Sequence, residues 1–361
     1  MTERNEYHTF KADEIPCQET SDPAVLSKNP LVSVKMITYN HEPYIAQAIE
    51  GVVKQETEYP FELIIGEDCS TDRTREIVFD YQRKYPHIIR VITSDRNVGM
   101  KKNGYRTTKA CRGKYIAFCE GDDYWHHPYK LQKQVDYMET HSECELVCSD
   151  FDVYHAPSGR IIRNIVKSRN LRLPINVGVA DFVEGKGLRS IVTCTVMVRR
   201  RLSQHLIDSD PYIHQSDEFL MGDRQLWAEL ATVGDTAYMP ESLATYRQVE
   251  ESASNSRDRR KQLRFQISGI ELKLYLSGKY RLPQRIIEEK QAERREYLLQ
   301  LAFLERSSNL AEEAMQGHRR VTLKQWLWYY GAKNRAIHLA YRVAANVRAL
   351  VGRRELMYWD E

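Results

Sequence analysis

No apolar run in the 361-residue chain approaches the roughly 18 to 20 residues that cross a bilayer. The opening segment MTERNEYHTFKADEIPCQET lacks both a basic head and an apolar stretch, so the expectation is a chain without a signal peptide that stays in the cytoplasm. No C-x-x-C pair occurs. The seven cysteines (Cys17, Cys69, Cys111, Cys119, Cys144, Cys148 and Cys194) are odd in number and mostly sit in apolar stretches. They read as buried reduced thiols acting as small hydrophobes, which excludes a disulfide framework or a zinc centre. Neither G-x-G-x-x-G after the first strand nor G-x-x-x-x-G-K-[ST] is present, and Gly185-Lys186-Gly187 lacks a third glycine, so no dinucleotide or P-loop motif is supported. What is there is the composition of a globular protein. The 42% hydrophobic and 29% charged residues exclude disordered and collagen-like classes, and the length suits a large domain plus an appendage.

The net charge of +3 conceals an asymmetry, because residues 257–361 hold 22 Lys and Arg against 12 Asp and Glu, while residues 1–256 hold 31 against 38. Residues 314–354 contain nine basic residues and no acidic one, which points to a negative neighbour for that segment.

Residues 1–29 carry no apolar period and are expected to be a loose lead-in. From Pro30 short β-branched runs alternate with amphipathic stretches. The pattern predicts strands over Leu31–Thr38, Phe61–Gly66, Ile88–Thr93 and Lys114–Cys119, and helices over Glu42–Gln55, Asp72–Tyr85 and Lys101–Cys111. This rhythm implies an α/β fold with a doubly wound, mostly parallel sheet, whose ligand crevice lies beyond the carboxyl ends of the strands. Three of those four ends carry carboxylates. Asp68, Asp122 and Asp123 would converge at one edge, an arrangement that a divalent cation makes tolerable. Asp72 or Ser70 is expected to cap the second helix. Further on, Cys144–Tyr154, Thr193–Arg199 and Thr236–Arg247 read as extended, Ser158–Leu188 as a polar loop, and Asp223 as the entry residue of a helix running to about Val233. A carboxylate there serves helix capping or chemistry.

Several blocks, VSVKMITYNHEPYIAQAIEGVVKQ, FELIIGEDCSTDRTREI, SDRNVGMKKN, GKYIAFCEGDDYW, TCTVMVRR, GDRQLWAEL and ATVGDTAYMPESLATYR, together resemble the family-2 glycosyltransferases, whose nucleotide-sugar-binding fold is called GT-A. The match covers roughly residues 30–250. The resemblance implies a GT-A catalytic domain over 30–256 followed by a basic helical extension over 257–361. It implies that Thr38 and Tyr39, with Asn40 beside them, line the nucleobase and ribose side, and that Asp68 accepts a hydrogen bond from the base. It further implies that Asp122 and Asp123 form the acidic metal motif, with Asp123 the direct ligand and Asp122 nearer the ribose or a metal-bound water, and that Asp223 is the general base.

The chemistry agrees with those residue types. Breaking a sugar–diphosphate bond releases a dianion, which Mg²⁺ or Mn²⁺ held by carboxylates would offset. An acceptor hydroxyl must lose its proton as it attacks, and a carboxylate in reach supplies that base; one base opposite the leaving group implies inversion. The expected activity is transfer of a sugar from a nucleoside-diphosphate sugar, UDP-linked by first expectation, to a glycan or glycolipid hydroxyl in surface-polysaccharide synthesis. A sugar nucleotidyltransferase would show a glycine- and basic-rich loop after strand one, where HEPYIAQ has neither. A non-catalytic binding protein with a vestigial site is the other alternative. The sequence departs from the family pattern in three places: Val249 stands where many relatives have a histidine, Glu67-Asp68 replaces two aspartates, and Gly222-Asp223 replaces a pair of acids.

Residues 258–305 read as two charged helices. In 322–351, Leu323, Leu327, Tyr330, Ile337, Ala340, Ala344, Val347 and Val351 recur at a helical period among Lys333, Arg335, Arg342 and Arg348. Such a helix suits either core packing with solvated arginines or the surface of an anionic membrane. No nucleic-acid module accompanies the basic patch.

Overall fold

The computed structural model describes residues 9–173, 175, 177–186, 190–249, 256, 258–316, 322–341 and 343 of the chain. The chain divides into two compact units, residues 1–250 and 251–361.

The first unit opens with strand β1 (Gln18–Thr20) and then alternates β2 (Val32–Thr38), α1 (Ile45–Val53), β3 (Phe61–Glu67), α2 (Thr74–Lys84), β4 (Ile89–Thr93), α3 (Met100–Ala110) and β5 (Tyr115–Phe118). It continues through β6 (Tyr124–Trp125), α4 (Lys130–Thr140), β7 (Cys144–His155), β8 (Arg160–Ile162), α5 (Ile165–Ser168), α6 (Val179–Glu184), β9 (Met197–Arg199), α7 (Arg200–Ser209), α8 (Pro211–Gln215), α9 (Arg224–Val233) and β10 (Asp235–Gln248). These strands form one sheet in the order β1-β4-β3-β2-β5-β9-β7-β10-β6, with β8 paired to β7. The run β4-β3-β2-β5 is parallel, as is β7 with β10, while β9 lies antiparallel between β5 and β7.

Burial of both faces is why β2 to β5 are rich in Val, Ile and Leu. Val32, Val34 and Met36 of β2 and Leu63 and Ile65 of β3 pack with Ile45, Ala48, Ile49 and Val52 of α1 in one core. The α1 residues recur at i, i+3, i+4 and i+7, the stripe that a sheet-covering helix needs. Parallel pairing brings the carboxyl ends of β2, β3 and β5 to one edge.

Three local expectations change. Residues 9–29 are not loose: β1 pairs antiparallel with β4, Arg90 of β4 is salt-bridged to Glu19, and Phe10, Ile15 and Leu26 are buried. Each apolar residue anchors alone, so no period marks the segment. The stretch 158–188 is not a bare loop. Gly159, at φ 67°, turns β7 into β8, and the main-chain N–H groups of Val166 and Lys167 in α5 donate to the buried Asp150 carboxylate. Gly185, at φ 79°, closes α6, while Gly187 lies outside the described residues. Thr193–Arg199 is a strand only from Met197. Thr193–Thr195 forms a 3₁₀ turn, in which the Thr195 main-chain N–H and hydroxyl both donate to the Val192 carbonyl.

The second unit contains α10 (Arg259–Lys279), α11 (Gln284–Glu305), α12 (Ser308–Met315) and α13 (Leu323–Lys333). Leu263 and Ile267 meet Leu298, Leu299, Leu301 and Phe303, with Ala314 and Trp328. The single helix expected over 322–351 is interrupted at Asn334, whose side chain accepts from the N–H groups of Ala336 and Ile337 and starts a new helical run. Trp328, Gly331 and Ala332 form the inward face of α13, and Leu323, Trp326 and Tyr330 are exposed. Arg342, Ala344, Val347, Arg348 and Val351 lie outside the described residues.

Candidate active site

The acidic turn after β5 is carried along β2. The Gly121 N–H donates to the Ile37 carbonyl at 3.0 Å, and the Cys119 N–H to the Lys35 carbonyl at 3.1 Å. A Cβ at Gly121 would stand 2.6 Å from Thr38 Oγ1 and 2.8 Å from His41 Nδ1, so only glycine lets the turn cross the end of β2. The next two residues differ sharply. Asp122 is half-buried, and its carboxylate accepts no hydrogen bond and forms no ion pair among the described residues. Asp123 is 3% exposed; its Oδ1 accepts the Arg247 N–H at 2.8 Å and its carboxyl meets the Cys194 thiol. Burial pushes the Asp123 carboxyl well above the usual range, and Asp122 pushes it the same way.

The end of β10 supplies the clamp. Arg247 donates through Nη1 to the Asp122 carbonyl at 2.6 Å and through Nη2 to Gln47 Oε1. Its guanidinium lies 4.6 Å from the centre of the Tyr44 ring and 5.1 Å from that of Tyr124, and its buried Nε has no partner.

On the side of the expected nucleotide, Thr38 is buried and shares a 3.2 Å hydrogen bond with His41 Nδ1, while Tyr39 is 43% exposed. Asn40 adopts φ 55°, a left-handed conformation that asparagine tolerates, and its Oδ1 accepts the Thr71 N–H at 2.8 Å. The N-cap of α2 is Arg73, without a side-chain cap bond, and not the expected Asp72 or Ser70; Asp72, one residue earlier, accepts from the N–H groups of both Thr74 and Glu42 and stitches the two loops together. Asp68 is 2% exposed. Its Oδ1 accepts the Val98 N–H and its Oδ2 the Gly99 N–H, each at 2.9 Å, with Arg106 at 3.5 Å. Burial raises its pKa, and those partners oppose the rise. Its neighbour Glu67 is tied down by Arg75 and the Ser70 N–H.

Asp223 is the N-cap of α9. Its Oδ1 accepts the Arg224 N–H at 2.8 Å, and its Oδ2 accepts a hydrogen bond from the Thr193 hydroxyl. Glu120 is half-buried, and its Oε2 is shut off from solvent without a partner. Burial pushes its carboxyl up to about 8; Lys35 opposes the rise, and Asp223 and Asp122 add to it. Both aspartates therefore act on one carboxyl. Burial lowers the Lys35 ammonium in turn, against Glu120 and Asp223.

Thr38, Tyr39, Asn40, Asp68, Asp122 and Asp123 thus share the carboxyl edge of β2, β3 and β5, and Asp223 is joined to that edge through Thr193. Sequence reasoning did not single out Arg247, Thr193, Glu120, His41 or Lys35. Arg247 and Thr193 stand at the ends of two quoted blocks, LATYR and TCTVMVRR, but nothing in those blocks marks which residues their side chains reach.

Among the described residues no group of three or more His, Cys, Asp and Glu is gathered as a metal cage. The unbonded Asp122 carboxylate, with the orphaned Glu120 oxygen two residues away, fits a hard cation that takes its remaining ligands from phosphate oxygens and water.

The mostly parallel α/β sheet gathers acidic residues at its carboxyl edge, the place where folds of this class hold their ligands. The model of the family "Glycosyl transferase family 2" matches residues 33–207. TuaG of Bacillus subtilis (strain 168), named for teichuronic acid biosynthesis, is 30% identical over 230 residues, which cover 63% of this chain and 83% of TuaG. The chain belongs to glycosyl transferase family 2. The uncharacterized protein Rv1520 of Mycobacterium tuberculosis is 33% identical over 217 residues, 60% of this chain, and the match spans only 58% of Rv1520. A crystal structure of S. aureus TarS 1–349 in complex with UDP-GlcNAc shares the fold, with TM-score 0.53 and 19% identity over 83% of this chain and 79% of TarS.

Proposed function

We propose that this chain is an inverting, metal-dependent glycosyltransferase that moves one sugar from a nucleoside-diphosphate sugar to a hydroxyl of a glycan or glycolipid. The observation that carries this reading is the unbonded Asp122 carboxylate in the turn after β5, together with a half-buried Asp223 held by the Thr193 hydroxyl at the start of α9. Tyr39 offers an exposed ring for the nucleobase, with Thr38 and Asn40 shaping the loop that presents it and Asp68 fixing the Val98–Gly99 loop opposite. A base that also bonds Asp68 shares a carboxylate already holding two N–H groups.

Asp122 is the protein ligand we assign to Mg²⁺ or Mn²⁺, and Asp123 the buried support beneath it. When bound, the cation offsets the negative charge that grows on the leaving diphosphate. Asp223 takes the proton of the acceptor hydroxyl as that oxygen bonds to the anomeric carbon. The bond to the diphosphate breaks with its electron pair leaving on phosphate oxygen, and the proton ends on the Asp223 carboxylate. Attack opposite the leaving group inverts the anomeric centre. General-base help of this kind contributes roughly 10²–10⁴-fold.

TuaG, the relative named for teichuronic acid biosynthesis, supports a surface-polysaccharide setting. No helix of the described residues is long and apolar enough to cross a membrane. A cytoplasmic site of action with peripheral contact to an anionic bilayer through α13 accords with the exposed Leu323, Trp326 and Tyr330. The test is a thermal-shift screen of UDP- and GDP-sugars with and without Mn²⁺, followed by donor turnover. A true donor raises the melting temperature by mass action. Turnover that needs a divalent ion and falls by orders of magnitude in Asp223→Asn, with nucleoside-diphosphate binding intact, supports the reading. Turnover by Asp223→Asn at the wild-type rate overturns it.

A further inference from the structure

We infer that Thr193 is a positioning residue for the proton-accepting carboxylate, and that the 3₁₀ turn Thr193–Thr195 sets the spacing between the two halves of the site. This rests on the assignment of Asp223 as base. Two adjacent residues of one turn reach the two acidic regions: the Thr193 hydroxyl donates to Asp223 Oδ2, and the Cys194 thiol faces the Asp123 carboxyl.

The turn is held rigidly from behind. The Cys194 carbonyl accepts Trp125 Nε1–H at 2.8 Å, and the Thr195 carbonyl accepts Gln134 Nε2–H at 2.8 Å; all four residues are buried. It is anchored from β6 and α4, elements that do not carry Asp223.

Asp223 has weaker local support. It begins a helix after the segment Ser216–Gly222, which contains no helix or strand beyond the isolated bridge of Ser216 to Thr9. The Arg224 N–H, on the first helical residue, fixes one oxygen, in place of the usual cap bond to the second or third residue. The hydroxyl of Thr193 fixes the second oxygen and so defines the plane of the carboxylate. With one donor on each oxygen, the remaining lone pairs are restricted in direction, which is what a base needs if an incoming hydroxyl is to meet it within hydrogen-bond reach. The bond to a charged acceptor is also among the stronger neutral-donor hydrogen bonds.

The experiment uses the full chain and, as probe, whichever of a panel of UDP- and GDP-sugars the wild-type protein hydrolyses fastest with Mg²⁺ or Mn²⁺. Thr193→Val keeps the shape and removes the donor; Thr193→Ser keeps the donor. Expected are a kcat loss of about 10- to 100-fold in Thr193→Val with KM for the donor within about twofold, and recovery of most of the rate in Thr193→Ser. In the double variant Thr193→Val/Asp223→Asn the rate is expected to match Asp223→Asn alone, because the hydroxyl acts only through that carboxylate. Wild-type kcat in Thr193→Val, or a Thr193→Ser rate as low as that of Thr193→Val, overturns the inference and leaves Asp223 as base untouched. Full activity in Asp223→Asn, or turnover of no sugar in the panel, overturns the assignment of the base and this inference with it.

Discussion

Arg247 holds Asp122 and Asp123 by different ends: its guanidinium grips the main-chain carbonyl of Asp122, and its own N–H meets the carboxylate of Asp123. Any residue at 247 except proline retains the second bond. Arg247→Met therefore separates them, losing the guanidinium bonds to Asp122 and Gln47 and the contacts with Tyr44 and Tyr124. Losing a charged hydrogen bond at a buried site costs about 1.5–3 kcal/mol. We expect a lower melting temperature and at least a tenfold weaker Mn²⁺-dependent shift by UDP or GDP. A variant with wild-type nucleotide response would show that the clamp does not organise the turn.

The two aspartates of the turn should separate in the same assay. Asp122→Ala removes a carboxylate with no protein partner, so the apo melting temperature should move little and the cation-dependent shift should vanish. Asp123→Ala exposes the Arg247 N–H and the Cys194 thiol to an empty pocket, so the apo protein itself should be destabilised by about 1–3 kcal/mol. The reverse pattern would return the metal to Asp123.

That contrast marks how far the sequence is legible. The rhythm of apolar runs predicts a mostly parallel sheet, and with it the edge where Thr38, Asp68, Asp122 and Asp123 meet, because in a parallel sheet every such strand end faces the same way; the order of the strands it leaves open. The choice between Asp122 and Asp123 depends on burial, which adjacent identical residues cannot express. The same holds for Thr193 and Arg247, whose partners lie 30 and 125 residues away. Segment 9–29 hid its β1 for another reason: a three-residue edge strand with exposed side chains leaves no pattern. The interruption of the last helix at Asn334 is a capping event, and the apolar period runs through it unchanged.

Lys130 gives a pH test from behind the turn that carries Thr193 and Cys194. It is fully buried, with Nζ donating to Gln134 Oε1 at 2.6 Å and lying 4.2 Å from the centre of the Trp125 ring, and burial lowers its pKa from 10.5 to about 7. Between those values the unfolded chain binds a proton that the folded one does not, so this residue's contribution to stability rises with pH over that window. Below it, both states are charged and the desolvation cost is felt in full. Chemical denaturation at several pH values from 7 to 10 should show the stability difference, wild type minus Lys130→Met, climbing by a few kcal/mol, at about 1.4 kcal/mol per pKa unit. A flat difference would mean that Lys130 keeps its proton in the fold.

The exposed face of α13 yields the last prediction. Leu323, Trp326 and Tyr330 recur at i, i+3 and i+7, and Leu323 is 75% exposed. Packing against the bundle is provided by Trp328 instead, so the outward side chains can be changed without opening the core. Along the chain the charge has one sign, since every charged residue from 314 to 354 is basic, and of these Lys324 and Lys333 pair with Glu296 and Glu312. Near an anionic bilayer each cation contributes about 1 kcal/mol, and the aromatic rings seat at the headgroup level. The full chain should co-sediment with vesicles containing phosphatidylglycerol at low salt, lose binding as salt rises, and ignore phosphatidylcholine vesicles. Leu323→Gln/Trp326→Gln/Tyr330→Gln should weaken the association at least tenfold while leaving the melting temperature within a few degrees. Binding that is unchanged by the triple variant would place the contact elsewhere, and self-association in solution without vesicles would mean that this face meets a second copy of the chain instead of a lipid.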